Sequence, residues 1–113
     1  MQLKLKLSII IKCLIMTKLS NIHPGEVLKE EFLLGFNISA YRLAKDTGIP
    51  QTRISEIIKG RRRVTADTAM RLSIYFGTTP KFWLGLQDDY DIEEEKNAKE
   101  YEFSMIRHHS SAA

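Results

Sequence analysis

The chain of 113 residues holds one cysteine, Cys13, so no internal disulfide can form. That excludes the disulfide-stapled secreted scaffolds and makes a reduced, cytoplasmic setting the expectation. No apolar stretch reaches the roughly 18 residues needed to cross a bilayer, so no membrane partner is expected. The sequence also lacks a Gly-rich phosphate loop, a metal-ligand cluster and a nucleophile with a neighbouring base, which argues against an enzyme. His108 and His109 match no ligand spacing. No catalytic residue, metal or cofactor is therefore expected. What is present, 43% hydrophobic and 27% charged residues, is the composition of a globular domain. At 13.0 kDa it is one domain's worth of chain, able to bury roughly two-thirds of its unfolded surface without a metal or a disulfide.

The net charge of +3 conceals a strong asymmetry. Residues 1–20 carry Lys4, Lys6, Lys12 and Lys18 and no acid. Residues 39–71 hold eight basic side chains, Arg42, Lys45, Arg53, Lys59, Arg61, Arg62, Arg63 and Arg71, against Asp46, Glu56 and Asp67. Between residues 88 and 102 the balance reverses, with eight acids against Lys96 and Lys99. A basic middle points to a polyanion partner, and the acidic tail to a different role.

Three segments follow: an N-terminal extension (1–20), a helical domain (21–90) and an acidic C-terminal extension (91–113). In the first, Leu3, Leu5, Leu7 and Ile9 alternate with Lys4, Lys6 and Ser8 in the period of a strand. Lys12 interrupts the apolar run and no small-x-small cleavage pattern follows, which places a signal peptide second. The plainest expectation is a flexible extension upstream of a natural start at Met16.

From Asn21 onward the punctuation is helical. Pro24 opens a helix with Val27, Leu28, Phe32 and Leu33 or Leu34 on one side, closed by Gly35. Ser39 caps a second helix carrying Tyr41, Leu43 and Ala44, and Gly48 ends it. Pro50 opens a third, in which Ile54, Ile57 and Ile58 face inward, with Gly60 at its end. Thr65 caps a fourth, with Ala69, Leu72, Ile74, Tyr75 and Phe76 on or near its buried side. Thr79–Pro80 starts a fifth bearing Phe82, Trp83, Leu84 and Leu86. The expected class is all-α, a bundle of about five short helices.

Within the bundle, Ala44, Gly48 and Ile54 have a recognisable spacing. A small residue lets two helices cross, a glycine takes a positive φ in the turn four residues on, and a β-branched plug follows after six more. This is the pattern of the DNA-binding helix-turn-helix, although an ordinary αα-corner would use the same residues. The exposed stripe of the third helix favours DNA. Gln51, Thr52, Ser55 and Glu56 are short or able to make directed hydrogen bonds, and they stand toward the helix start, the end that meets base edges. Arg53 and Lys59, with Arg61, Arg62 and Arg63 directly after the helix, suit phosphate contacts.

The stretch Ile22–Gln87, 66 residues, resembles the HigA/VapI-type antitoxins of the Xre/Cro helix-turn-helix group. The segments HPGEVLKEEFL, GIPQTRISEIIKGRR and FGTTPKFWLGLQ carry the likeness. The resemblance implies a five-helix λ-repressor-like fold, a homodimer on a palindromic operator in double-stranded DNA, and repression of the protein's own toxin-antitoxin operon. It further implies neutralisation of a HigB/RelE-like mRNA-cleaving toxin. It places base reading at Gln51, Thr52 and Glu56, and phosphate contact at Ser39, Arg42, Arg53 and the loop arginines. The alternative is an Xre/Cro-type regulator without a toxin partner; a helical bundle that binds proteins but not DNA is a further one.

Operator reading usually requires two copies. Phe82, Trp83 and Leu86 are the expected dimer contacts, because the fifth helix carries more large apolar groups than one face of a short helix needs. In the acidic segment, Asp91 and Glu94 form a capping box for a C-terminal helix that is either solvated or masks a basic toxin.

Overall fold

A computed structural model of the chain describes residues 21–109. The strand expected at Leu3–Ile9, the flexible extension over residues 1–20 and the start at Met16 lie outside these residues. Regular structure among the described residues is entirely helical: α1 (Pro24–Val27), running directly into a π-helical segment (Leu28–Leu33), then α2 (Ala40–Thr47), α3 (Gln51–Ile58), α4 (Ala66–Phe76), α5 (Pro80–Ala98) and α6 (Glu100–Ser104). The expected all-α class and the five-helix order hold.

Capping chemistry sets most of the boundaries. Ser39 Oγ accepts from the Arg42 amide at 3.0 Å and Thr79 Oγ1 from the Phe82 amide at 3.1 Å, each satisfying a donor that the first helical turn leaves open. Gly48 and Gly77 close α2 and α4 in the left-handed region, where a side chain would be strained. Thr65 occupies the cap position of α4, but its hydroxyl contacts Thr68 Oγ1 at 3.4 Å and no backbone amide.

The first helix departs from expectation in two ways. Its second half widens to π geometry, with the Leu34 amide reaching Lys29 O at 3.1 Å, and this lets three consecutive residues, Glu31, Phe32 and Leu33, all turn inward. Leu34 is consequently exposed. The turn that follows is closed by Asn37 at φ 55°, not by Gly35. Asparagine tolerates that conformation better than other side chains.

The core lies where the π-helical segment, α2, α3, α4 and α5 converge, on Leu28, Phe32, Leu43, Ile54, Ile57, Leu72 and Trp83. Trp83 corrects the expected dimer surface. It is 0% exposed, its ring lies 4.9 Å from that of Phe32, and its Nε1–H donates to Thr78 Oγ1 at 2.8 Å. Buried indole with a satisfied N–H belongs to the monomer core, so no face of Trp83 remains for a partner. Phe82 and Leu86 are half-buried and pack against the same core. Ile74, expected on the inner side of α4, stands 76% exposed.

α5 corrects the acidic segment as well. It runs unbroken for 19 residues, so the boundary expected after residue 90 falls inside a helix and Asp91 caps nothing. The capping-box reading of Asp91 and Glu94 fails because Trp83 and Gln87, one turn apart, anchor the helix upstream and it simply continues. No described helix is long and apolar enough to cross a membrane.

Candidate nucleic-acid interface

The helix-turn-helix is built by α2, the turn at 48–50 and α3. Ala44 is buried at the crossing, Gly48 has φ 76° and Ile54 is wholly buried, each as the spacing predicts. The turn is tied locally: Thr47 Oγ1 donates to Leu43 O at 2.6 Å and accepts from the Ile49 amide at 3.3 Å. It is also held from outside, since Arg71 on α4 donates from Nη1 to Thr47 O at 2.8 Å. A Cβ on Gly48 would lie 3.0 Å from that same Nη1.

At the other end of α3, Gly25 meets the helix terminus. A Cβ there would overlap the Ile57 carbonyl oxygen and come within 2.6 Å of its carbon, so the start of α1 rests directly on the last turn of α3. His23 seals this corner. Its Nδ1 accepts from the Gly25 amide at 2.9 Å, and its ring meets Tyr90 edge-on at 4.9 Å. Burial lowers the His23 pKa below its usual value, outweighing the opposite pull of Asp91 and Glu26, which keeps Nδ1 free to accept. α3 is thus fixed at both ends by neighbours, and its outer stripe is left clear. Gln51 and Thr52 are exposed, while Ser55 and Glu56 are half-buried.

A helix-turn-helix family model matches residues 29–83. Virulence-associated protein I of Dichelobacter nodosus is 44% identical over 79 residues, 70% of this chain and 73% of its own. An addiction module antidote protein of the HigA family from Coxiella burnetii superposes with a TM-score of 0.74 at 44% identity, covering 79% of this chain and 98% of that one. The chain belongs to the HigA family of helix-turn-helix antitoxins. A further HigA structure, the antitoxin of Pseudomonas aeruginosa with the higBA promoter, matches with a TM-score of 0.74 at 35% identity over 77% of this chain and 96% of its own. Membership of the HigA family sets the chain among DNA-binding regulators and not among enzymes.

In this HigA-family fold the cationic residues surround α3, but most of them are engaged. Arg42 pairs with Asp46 at 3.1 Å, Arg53 with Asp67 at 3.5 Å, Arg62 with Glu56 at 3.0 Å and Arg63 with Asp91 at 2.6 Å. Lys59 and Arg61 are exposed and have no ion pair among the described residues. The Glu56–Arg62 pair joins an expected base reader to an expected phosphate reader. Ser39 accepts the Arg42 amide in capping and keeps its hydroxyl proton as a donor. Asp46 also receives the Tyr75 hydroxyl at 2.7 Å. That bond, ahead of the Arg42 contact, lowers the Asp46 pKa, and the same bond raises that of Tyr75. These carboxylates hold the arginines extended over the surface at modest cost, because exposed pairs exchange readily.

Three residues that shape the interface escape the sequence: His23, Arg71 and Gln87. Arg71 shows there only as one more charge of the basic middle, and Gln87 as a polar residue one helical turn after Trp83 on an otherwise apolar side.

Proposed function

We propose that this chain is the antitoxin of a type II toxin–antitoxin module. As a homodimer it binds a palindromic operator and represses its own operon, and in the cytoplasm it neutralises a HigB-type, RelE-like mRNA-cleaving toxin. The observation that carries the reading is the agreement of an intact helix-turn-helix, with Gln51 and Thr52 displayed at the head of α3, and likeness to HigA proteins along most of the chain. Gln51 pairs with adenine N6 and N7, the Thr52 methyl touches thymine, Ser55 supplies a hydroxyl to either partner, and Glu56 accepts from a cytosine amine once Arg62 swings to phosphate. Lys59, Arg61, Arg62 and Arg63, with Ser39, Arg42 and Arg53, line the backbone on either side. Phe82 and Leu86, which keep part of their surface, contribute to the dimer contact.

Gel shift with the DNA upstream of the gene, against a random duplex of equal length, tests the repressor half. Co-purification with the product of the adjacent gene tests the antitoxin half. A chain that shifts the upstream DNA no better than the random duplex is not an operator-binding repressor. One that shifts it but binds no neighbouring product is a regulator without a toxin.

A further inference from the structure

Arg63 is the last of three consecutive loop arginines and the one tied to another helix. Its Nη2 donates to Asp91 Oδ2 on α5 at 2.6 Å. Arg62 turns back to Glu56 on α3, and Arg61 has no acidic partner among the described residues. Asp91 is itself held in place from beneath. Gln87, one turn earlier and 1% exposed, donates from Nε2 to Asp91 Oδ1 at 2.8 Å, while its Oε1 accepts from the Val64 amide at 2.7 Å. The two bonds settle the amide's direction, since only its NH2 group can face a carboxylate and only its carbonyl can face an N–H. α5 therefore grips the arginine loop twice, at the backbone of Val64 and at the charge of Arg63.

A cation beside a DNA-reading helix adds affinity for any sequence, because it releases counterions as it neutralises a phosphate. A carboxylate fixed against that cation competes with the phosphate. We propose that Asp91 is a brake on the arginine loop, withholding Arg63 from the DNA backbone and so lowering the sequence-independent part of binding, with Gln87 as the positioning residue that keeps the brake aligned. This rests on the DNA-binding reading above. The Arg63 and Asp91 side chains are 59% and 39% exposed, so water screens the pair and it opens readily. A brake of this kind is worth a few-fold in an equilibrium constant, not orders of magnitude.

The test is a set of anisotropy titrations of the full chain with the upstream duplex and with a random duplex, from about 50 to 200 mM salt. Asp91→Asn keeps an acceptor for Gln87 and removes the charge, and is expected to tighten both duplexes about three-fold at low salt. Asp88→Asn, on the same helix but without an arginine partner among the described residues, corrects for the loss of a negative charge in general. In an Arg63→Ala background the excess over Asp88→Asn disappears. If Asp91→Asn tightens no more than Asp88→Asn, or tightens equally without Arg63, the brake is overturned while DNA binding stands. If the unaltered chain binds neither duplex, the underlying DNA-binding reading falls and the brake with it. Thermal melts of each variant by circular dichroism confirm that the comparison is between folded proteins.

Discussion

Gly25→Ala probes the joint between α1 and α3 with a single methyl group. The added carbon begins 2.6 Å from the Ile57 carbonyl carbon and overlaps its oxygen, where ordinary contact needs about 3.5 Å. Backbone cannot rotate aside as a side chain tip does, so α1 must lift from α3 by about 1 Å or more. Overpacking of this sort costs about 1 to 3 kcal/mol. The lift also pulls the Gly25 amide from His23 Nδ1, now 2.9 Å away, and loss of a cap adds about 1 kcal/mol. The sum, about 3 kcal/mol, offsets a large share of the 5 to 15 kcal/mol that typical domains possess, and corresponds to a fall of roughly 15 °C in Tm. Urea unfolding followed by Trp83 fluorescence measures it directly, because the indole sits in the core that α1 covers. The higher helix propensity of alanine works in the opposite direction by under about 1 kcal/mol. A loss below about 1 kcal/mol would show that α1 does not rest on the α3 terminus as described.

Other expectations follow from the same contacts. Because burial lowers the His23 pKa, the unfolded chain binds this proton more readily than the folded one; stability is full above about pH 6.5 and declines as pH falls below it, by no more than about 1.4 kcal/mol per pH unit. His23→Asn, a cap that does not titrate, flattens that part of a pH series of urea midpoints; an unchanged slope refutes the assignment. Gln51→Ala costs about 1 to 3 kcal/mol on the operator and relaxes preference at one base pair, whereas Arg61→Ala weakens operator and random DNA alike and lowers the salt slope by about one. Equal losses on both duplexes for Gln51→Ala would mean that α3 is docked in another orientation. Trp83→Ala, a core truncation, lowers stability by about 3 to 5 kcal/mol, and a loss under about 1 kcal/mol would contradict the enclosed position of the ring.

Much of this architecture is legible in the sequence because it is governed by chemistry within a few residues. Ser39, Gly48, Gly77 and Thr79 mark helix ends by capping or by a positive φ, and Ala44, Gly48 and Ile54 mark the helix-turn-helix by a spacing along one chain. What escapes depends on which elements meet. Trp83 reads as surplus apolar surface until Phe32 and Thr78 are placed around it. The arginines read as free cations until Asp67 and Asp91 are brought beside them from other helices. Asp91 reads as a helix start because Glu94 stands at capping-box spacing from it, whereas its position is decided by Gln87 and Arg63. The π turn likewise follows from the demand to bury three adjacent residues against separate neighbours, which no periodicity of one segment displays.

The unbroken course of α5 has a mechanical consequence. Nineteen residues span about 28 Å, and beyond Asp91 no described residue is buried. The outer half is a shaft whose helicity is nucleated by the anchored turns at Trp83 and Gln87, since so short a segment would scarcely hold its shape alone. Its own supports are slight: the pairs Lys96–Glu93 at 3.9 Å and Lys99–Glu95 at 3.2 Å, and the hold of Asn21 on Glu94 at 3.1 Å. Amide exchange should therefore quicken steadily from residue 91 to residue 98 while the helix-turn-helix stays protected. The helix joins the loop of Arg61, Arg62 and Arg63 in its anchored half, where Gln87 Oε1 accepts the Val64 amide, with Asp91 and Arg63 at the boundary between the held and the solvated turns.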